Sequence, residues 1–427
     1  MKIMNYSEYK KLKQAAQAED TSAELIEKVG AIIQEVKTDG DKAIKKYTAL
    51  YDGVELERLA VDKSAIETAW SSLDRKILDA MKFSAHNIKT FAKRQLQQLK
   101  DFKIEIQKGV WAGQRVAPIH RAAIYVPGGR FSLPSSALMG LIPAKVAGVK
   151  ELYVFTPPEK NASVDSAILT ASKMLDVKKV YAVGGVQAVA AAAYGTEAIP
   201  KMDIIVGPGN RYVTEAKRQV YGDIGIDFIA GPSEVVIVAD DTANPDYIAA
   251  DLLAQAEHDP DTIPILITIS QELAGIVKKK IYERLAMLKI QNIAEQSVTN
   301  NGKIILCDEL IQCIEVTNDL APEHLELHGA SSIKRQDEFT NFGSLFLGEN
   351  SMESLGDYTA GINHILPTGG AARYTSGLSV MNFVRLQTIL EVSREGLKQI
   401  GDAAVSLGDF EGLEAHAKSV RSRVKVE

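Results

Sequence analysis

The sequence predicts an α/β protein built on parallel sheet, and three observations carry that reading. From about residue 120, short apolar β-branched runs alternate with helical patterns, which is how βαβ units read in sequence. Glycine-bearing turns punctuate the same stretch. The flanking segments, up to about residue 100 and beyond about 380, read as helix with many charges.

Taken in order, the N-terminal hundred residues show leucine, isoleucine, methionine and alanine at three- and four-residue spacing. Leu78, Met81 and Ala85 are an example, with lysine, glutamate and glutamine between them. Strands are expected at 122–126, 152–155, 180–183, 204–206, 235–239, 265–269 and 304–306. The expected strand ends carry Pro127-Gly128-Gly129, Gly184-Gly185, Gly207-Pro208-Gly209 and Gly231-Pro232. Each alone is an ordinary tight turn. Together they mark a ligand edge, because open α/β sheets bind ligands beyond the carboxyl ends of their strands and glycine lets backbone approach closely. Gly207-Pro208-Gly209 opens a GxG, but Tyr212 stands where a dinucleotide fingerprint needs its third glycine, and Asp227 is an unspecific acidic follower.

A chain of 427 residues exceeds one typical domain of about 150 residues. Hydrophobic residues make up 46% and charged residues 24%, which fits a globular protein with a sizeable core. With 49 basic against 55 acidic side chains, the net charge of -6 gives no basic face for nucleic acid. The opening MKIMNYSEYKKLKQAAQAED lacks the apolar stretch of a signal peptide, and no apolar run reaches the length of a membrane span. The expected compartment is the cytoplasm, with no membrane and no nucleic acid as partner. Cys307 and Cys313 make no CxxC site and read as reduced, buried thiols.

Of seven histidines, four have telling contexts. In LLAQAEHDPD a helix is expected from Asn244 as cap, with Pro245 first and Asp246 in the opening turn. Gln255 and His258 then share one face near its end, a spacing that suits a metal or an ordinary solvated last turn. In NDLAPEHLELHG, Glu323 and His324 are adjacent, so their side chains should diverge and serve separate proton transfers; a plain surface pair is the competing reading. Asp357 and His364 lie in a stretch with five glycines between Gly348 and Gly370, expected as an irregular loop. His416, five residues after Glu411, reads by itself as part of a tail helix.

Taken together, the segments IYVPGGRFSLPSSALM, VGGVQAVAAAAYGTE, VGPGNRYV, AGPSEVVIVAD, DLLAQAEHDP, APEHLEL, SLGDYTAGINHILPTGGAARY and EGLEAHA closely resemble histidinol dehydrogenase, in that family's order from about residue 120 to 416. The resemblance implies two incomplete Rossmann-like parallel-sheet domains, aldehyde-dehydrogenase-like, with small helical terminal extensions. The expected boundaries are 1–21 for the N-terminal extension, 22–120 with 234–378 for a discontinuous domain, 121–233 for an inserted domain and 379–427 for a helical tail. It implies one Zn2+ per subunit on Gln255, His258, Asp357 and His416, the last contributed across an intertwined homodimer with a shared active site. It implies NAD contacts at Tyr125, Gln187 and Asn210, catalysis by Glu323 and His324, and substrate contacts at Ser233 and Glu411 besides His324 and the metal ligands. His364 is given a supporting polar role.

The implied activity is oxidation of L-histidinol to L-histidine through the aldehyde, the last steps of histidine biosynthesis. Four electrons leave, so NAD is used twice. Val186 and Leu133 depart mildly from the family's usual residues, and neither removes a charged or coordinating group. A related zinc- and NAD-dependent enzyme for another small alcohol would share most of these residues. A zinc hydrolase would leave Tyr125, Gln187 and Asn210 without a role, and a non-enzymatic nucleotide binder would leave the metal set without one.

Overall fold

A computed structural model describes residues 1–15, 22–128, 131–289 and 291–424. Gly129 of the first glycine turn lies outside the described residues. All seven expected strands are present and all pair in parallel.

They divide between two sheets. One has five parallel strands in the order Lys179–Tyr181, Glu151–Phe155, Arg121–Tyr125, Ile204–Val206 and Gly225–Ile226. The other has six, in the order Lys2–Asn5, Lys303–Leu306, Ile263–Thr268, Glu234–Ala239, His324–His328 and Ser344–Leu347. Parallel sheets are covered on both faces, so their strands read as unbroken apolar runs rather than alternating ones. Val235 to Ala239 and Ala122 to Tyr125 are buried throughout.

Three expectations need correction. The N-terminal extension opens with the strand Lys2–Asn5, not a helix, because Met1 and Met4 bury themselves along the open edge offered by Lys303–Leu306. The tail opens with the strand Val384–Val392, which pairs antiparallel with Val110–Pro118; that strand in turn pairs with Phe102–Gln107. Helices Arg394–Phe410 and Glu414–Val424 follow. Gly231-Pro232 leads into the strand Glu234–Ala239, so it sits at an amino end, whereas the other three glycine turns follow carboxyl ends.

Core packing ties the early helices to the five-stranded sheet. Val29, Ile32, Ile33 and Val36 on helix Ala23–Asp39 share one apolar cluster with Ala188, Ala191 and Ala192 on helix Gly185–Tyr194. Alanine permits that close approach of two helices. Helix Arg75–Leu96 joins the same cluster through Met81, Ile88 and Ala92. Its Ser84 and Asn87 side chains also donate hydrogen bonds to the carbonyls of Tyr358 and Thr359, so it bridges to the 353–365 segment.

Candidate active site

The site begins where two neighbouring parallel strands start. His324 pairs in register with Val235, which sets Glu323 level with Glu234. Both Glu323 and His324 are buried. The Glu323 carboxylate accepts a hydrogen bond from the Glu234 backbone N–H at 2.9 Å. His324 Nδ1 lies 3.1 Å from the Glu234 carbonyl, so Nδ1–H donates there and Nε2 is left as the basic nitrogen. The divergence expected of the adjacent pair does not occur. Glu323 stands just before the strand, and its carboxylate approaches His324 Nδ1 to 3.6 Å.

Burial pushes the Glu323 carboxyl well above the usual carboxylate range, against the lowering effect of the Glu234 N–H. Burial also holds the His324 imidazole below its usual value, opposed by the nearby Asp357 charge. The Glu234 carboxyl, desolvated as well, is pushed up to about 7. A neutral imidazole beside a carboxyl of raised affinity for protons is suited to taking protons in turn.

A second group adjoins it. The helix Pro245–Ala256 starts as the sequence predicts, with the Asn244 side chain accepting from the Asp246 N–H. It ends earlier than expected, so Gln255 is its last buried polar side chain and His258 lies just beyond it, its N–H bonded to the Gln255 carbonyl at 3.2 Å. The 348–370 stretch is not all loop. Residues Glu353–Tyr358 form a short helix, and four of its neighbouring glycines take positive φ.

That helix places Glu353 and Asp357 four apart on one face. Ligand atoms of His258, Glu353 and Asp357 all lie within 4.8 Å of one another. With its carboxamide turned to satisfy its neighbours, Gln255 donates from its amide nitrogen to the Glu353 carboxylate. Its other amide end faces His324 Nδ1 at 3.5 Å. His364 Nδ1 lies 3.0 Å from the Asp357 carbonyl and its Nε2 lies 3.2 Å from Ser136 Oγ, so it buttresses Asp357 from behind. An imidazole nitrogen with carboxylate and amide oxygens is a donor set that suits zinc.

Glu353 escaped the sequence reading. Its i,i+4 spacing to Asp357 was visible, but the glycines around it read as loop. Glu234 escaped as well, because its contacts to Glu323 and His324 are made by its backbone.

The third part is a cavity of about 980 Å³ at the carboxyl edge of the five-stranded sheet, and Tyr125, Gln187 and Asn210 all line it. Tyr125 ends its strand, with its hydroxyl accepting from the Gly185 N–H at 3.1 Å. Asn210 caps helix Arg211–Val220, its side-chain oxygen accepting from the N–H groups of Tyr212 and Val213. Gln187 is buried in the first turn of helix Gly185–Tyr194, and its Oε1 has no hydrogen-bond partner among the described residues. A buried amide oxygen left unpaired against a cavity is costly unless a ligand meets it, so the residues fit a polar cofactor.

Gly207, at φ +125, is tied at both ends. Its N–H donates to Asp227 at 2.8 Å and its carbonyl accepts from Lys217 at 3.0 Å, while Lys217 and Asp227 form a buried ion pair. A side chain at Gly207 would strike the Tyr125 carbonyl. Asp227 therefore fixes the turn. Asp52, another residue the sequence did not single out, lines the same cavity with its carboxyl pushed up to about 6 by burial.

A smaller cavity of about 430 Å³ is lined by His258, Ser84, Pro134 and Tyr358, and it meets the larger one at Phe131 and Ser132. The larger cavity and the metal-capable group are thus adjacent. Ser233 directly precedes Glu234, half-buried at the start of that strand. Glu411 and His416 are not brought to this site within the chain. Both are exposed on the tail, where helix Glu414–Val424 packs on helix Arg394–Phe410.

The model of the histidinol dehydrogenase family matches residues 15–424. The histidinol dehydrogenase of Methanocaldococcus jannaschii is 45% identical over 402 residues, covering 94% of this chain and 93% of that protein. The one from Oceanobacillus iheyensis is 42% identical over 423 residues, with 99% of both chains covered. The crystal structure of histidinol dehydrogenase from Elizabethkingia anophelis superposes with a TM-score of 0.93 at 36% identity, covering 99% of this chain and 97% of that one. Site, fold and full-length similarity agree, and the chain belongs to the histidinol dehydrogenase family of oxidoreductases.

Proposed function

We propose that this protein oxidises histidinol to histidine in two successive NAD-dependent steps, at a zinc-holding site completed by a second copy of the chain. The observation that carries the reading is the junction at Gln255. Its amide meets His324 at one end and Glu353, among the cation donors, at the other, so proton acceptor and anchor belong to one site.

Gln255, His258 and Asp357 would hold the ion together with His416 of the partner subunit. Bound zinc supplies a fixed grip on the substrate's imidazole and amino nitrogens, and bound NAD supplies the electron acceptor for each oxidation. His324 Nε2 takes the hydroxyl proton in the alcohol step, its ring held by the Glu234 carbonyl. Glu323 takes a proton from the water that adds to the aldehyde, and His324 acts again on the resulting hydrate. Ser233 and Glu411 bind the substrate's polar ends. Tyr125, Gln187 and Asn210 hold the cofactor, with residues 121–233 as its unit. His364 keeps Asp357 in place.

A second copy also gives the exposed apolar surface a use. Phe102, Ile104 and Ile106 on one strand, Leu386, Ile389 and Leu390 on another, and Leu407 and Phe410 on the tail are all exposed in the single chain. Buried, unpaired Cys307 and Cys313 fit a reducing compartment, the cytoplasm. Among the described residues no helix is long and apolar enough to cross a membrane.

The test is stoichiometric. About two NADH should form per histidinol consumed, and other small polar alcohols should give little. One NADH per substrate with aldehyde released would remove the second step from the reading.

A further inference from the structure

Glutamine is an ambiguous ligand. Its carboxamide presents an oxygen that can face a cation and a nitrogen that cannot, and the two differ little in shape. Something must decide which end faces the site. Gln255 is fully buried, so water does not decide it.

Glu353 stands in the position to do so. It is buried too, and its carboxylate is the acceptor that meets the Gln255 amide nitrogen, with Oε2 at 3.2 Å and Oε1 nearer. Its own backbone is pinned, since the Glu353 N–H donates to Glu326 Oε1 at 2.8 Å. Glu326 is itself buried on the strand His324–His328, two residues from His324, and bonds to His328 at 3.1 Å. On the other side, Gly356 of the same short helix packs against the Phe346 ring, where any side chain would collide. The carboxylate is therefore held between two fixed elements.

We propose that Glu353 is a positioning residue that sets the orientation of Gln255. By accepting from the amide nitrogen it commits that end to itself and leaves the Gln255 oxygen, on the side that faces His324, as the end free to meet a cation. This rests on the zinc reading above and adds a residue outside the implied ligand set. Partners of this kind beyond the direct ligands are what orient them, and their loss typically weakens metal binding by about 10- to 100-fold.

The experiment is a double-mutant cycle on zinc affinity, read by chelator competition on the intact oligomer, with the visible spectrum of the cobalt-loaded protein as a second readout. Glu353→Ala should weaken Zn2+ binding by about 10- to 100-fold and alter the cobalt bands. Glu353→Gln, which still offers an acceptor oxygen, should recover most of the affinity. In a Gln255→Ala background, Glu353→Ala should cost nothing further, because there is no amide left to orient. If Glu353→Ala does not fold, Glu353→Met, of similar length and without an acceptor, replaces it. Wild-type affinity in the variant without an acceptor overturns the inference, as does an equal loss in both backgrounds, which would make Glu353 an independent ligand. A wild-type protein that binds no zinc overturns the zinc reading itself and this inference with it.

Discussion

Glu234 holds Glu323 through its backbone: the N–H donates to the Glu323 carboxylate at 2.9 Å, across the first rung of two parallel strands. The carbonyl of the same residue meets His324 Nδ1. One peptide segment therefore fixes both Glu323 and His324, and it does so from the first residue of a sheet strand. Any residue at position 234 except proline keeps the N–H and carbonyl that make those two bonds.

The two groups should separate by step. His324→Ala should lower histidinol oxidation by about 100- to 10,000-fold, the usual weight of a general base. Glu323→Gln should spare the alcohol step far more than the oxidation of supplied aldehyde. Rates of NADH formation from each substrate measure this, and an equal failure of both variants on both substrates would refute the division of labour.

The pH dependence follows from burial. His324, held below its usual value, is neutral and able to accept a proton even below about pH 6.5. Glu323, held well above the usual range, becomes a base only as pH rises further. Aldehyde oxidation should keep rising with pH after alcohol oxidation has levelled, and Glu323→Gln should lose that extra limb. Stability carries the same sign. A carboxyl raised in the folded state stabilises fully below its unfolded value of about 4.3 and loses that contribution as pH climbs toward the folded value. In metal-free protein, the melting temperature of Glu323→Gln should therefore gain on wild type between pH 4 and 8; a constant gap would contradict it.

Gln187→Leu should raise KM for NAD by about tenfold, the worth of one hydrogen bond of about 1.4 kcal/mol. Its Oε1 has no partner among the described residues, so folding should not suffer. A lowered melting temperature with unchanged KM would place Gln187 in the structure of the pocket wall instead.

Mixed dimers test the shared site. His416→Ala and His258→Ala subunits, each inactive alone, should recover activity when co-expressed with different tags and purified as a pair. One site of such a dimer combines both intact residues. A purified mixed dimer without activity would show that His416 is not exchanged between subunits.

Most strands were readable because buried parallel strands are unbroken apolar runs, as at Val235 to Ala239. The strand Val384–Val392 was missed although Val384 and Leu386 alternate with Arg385 and Gln387; further along it, Ile389 beside Leu390 breaks the period. Lys2–Asn5 is too short to show a period and is fixed by a partner three hundred residues away. Side chains such as His258 and Asp357 were visible as types, and one cavity gathers Tyr125, Gln187 and Asn210. Glu234 could not be read, since its role lies in an N–H and a carbonyl that every residue but proline carries. Glu353 could not be separated from other acidic residues until the helix around it was known.

The larger cavity opens at the carboxyl edge of one sheet, while Glu323 and His324 stand at the amino edge of the other. The two sites therefore draw on different sheets, and among the described residues they meet only at Phe131 and Ser132. Under the two-step reaction proposed above, a spent carrier could leave one sheet and a fresh one arrive while the half-oxidised molecule stays moored to the other. A fold that anchored carrier and cargo on one sheet would tie the release of each to the other, and in the proposed reaction the aldehyde would be exposed at every exchange.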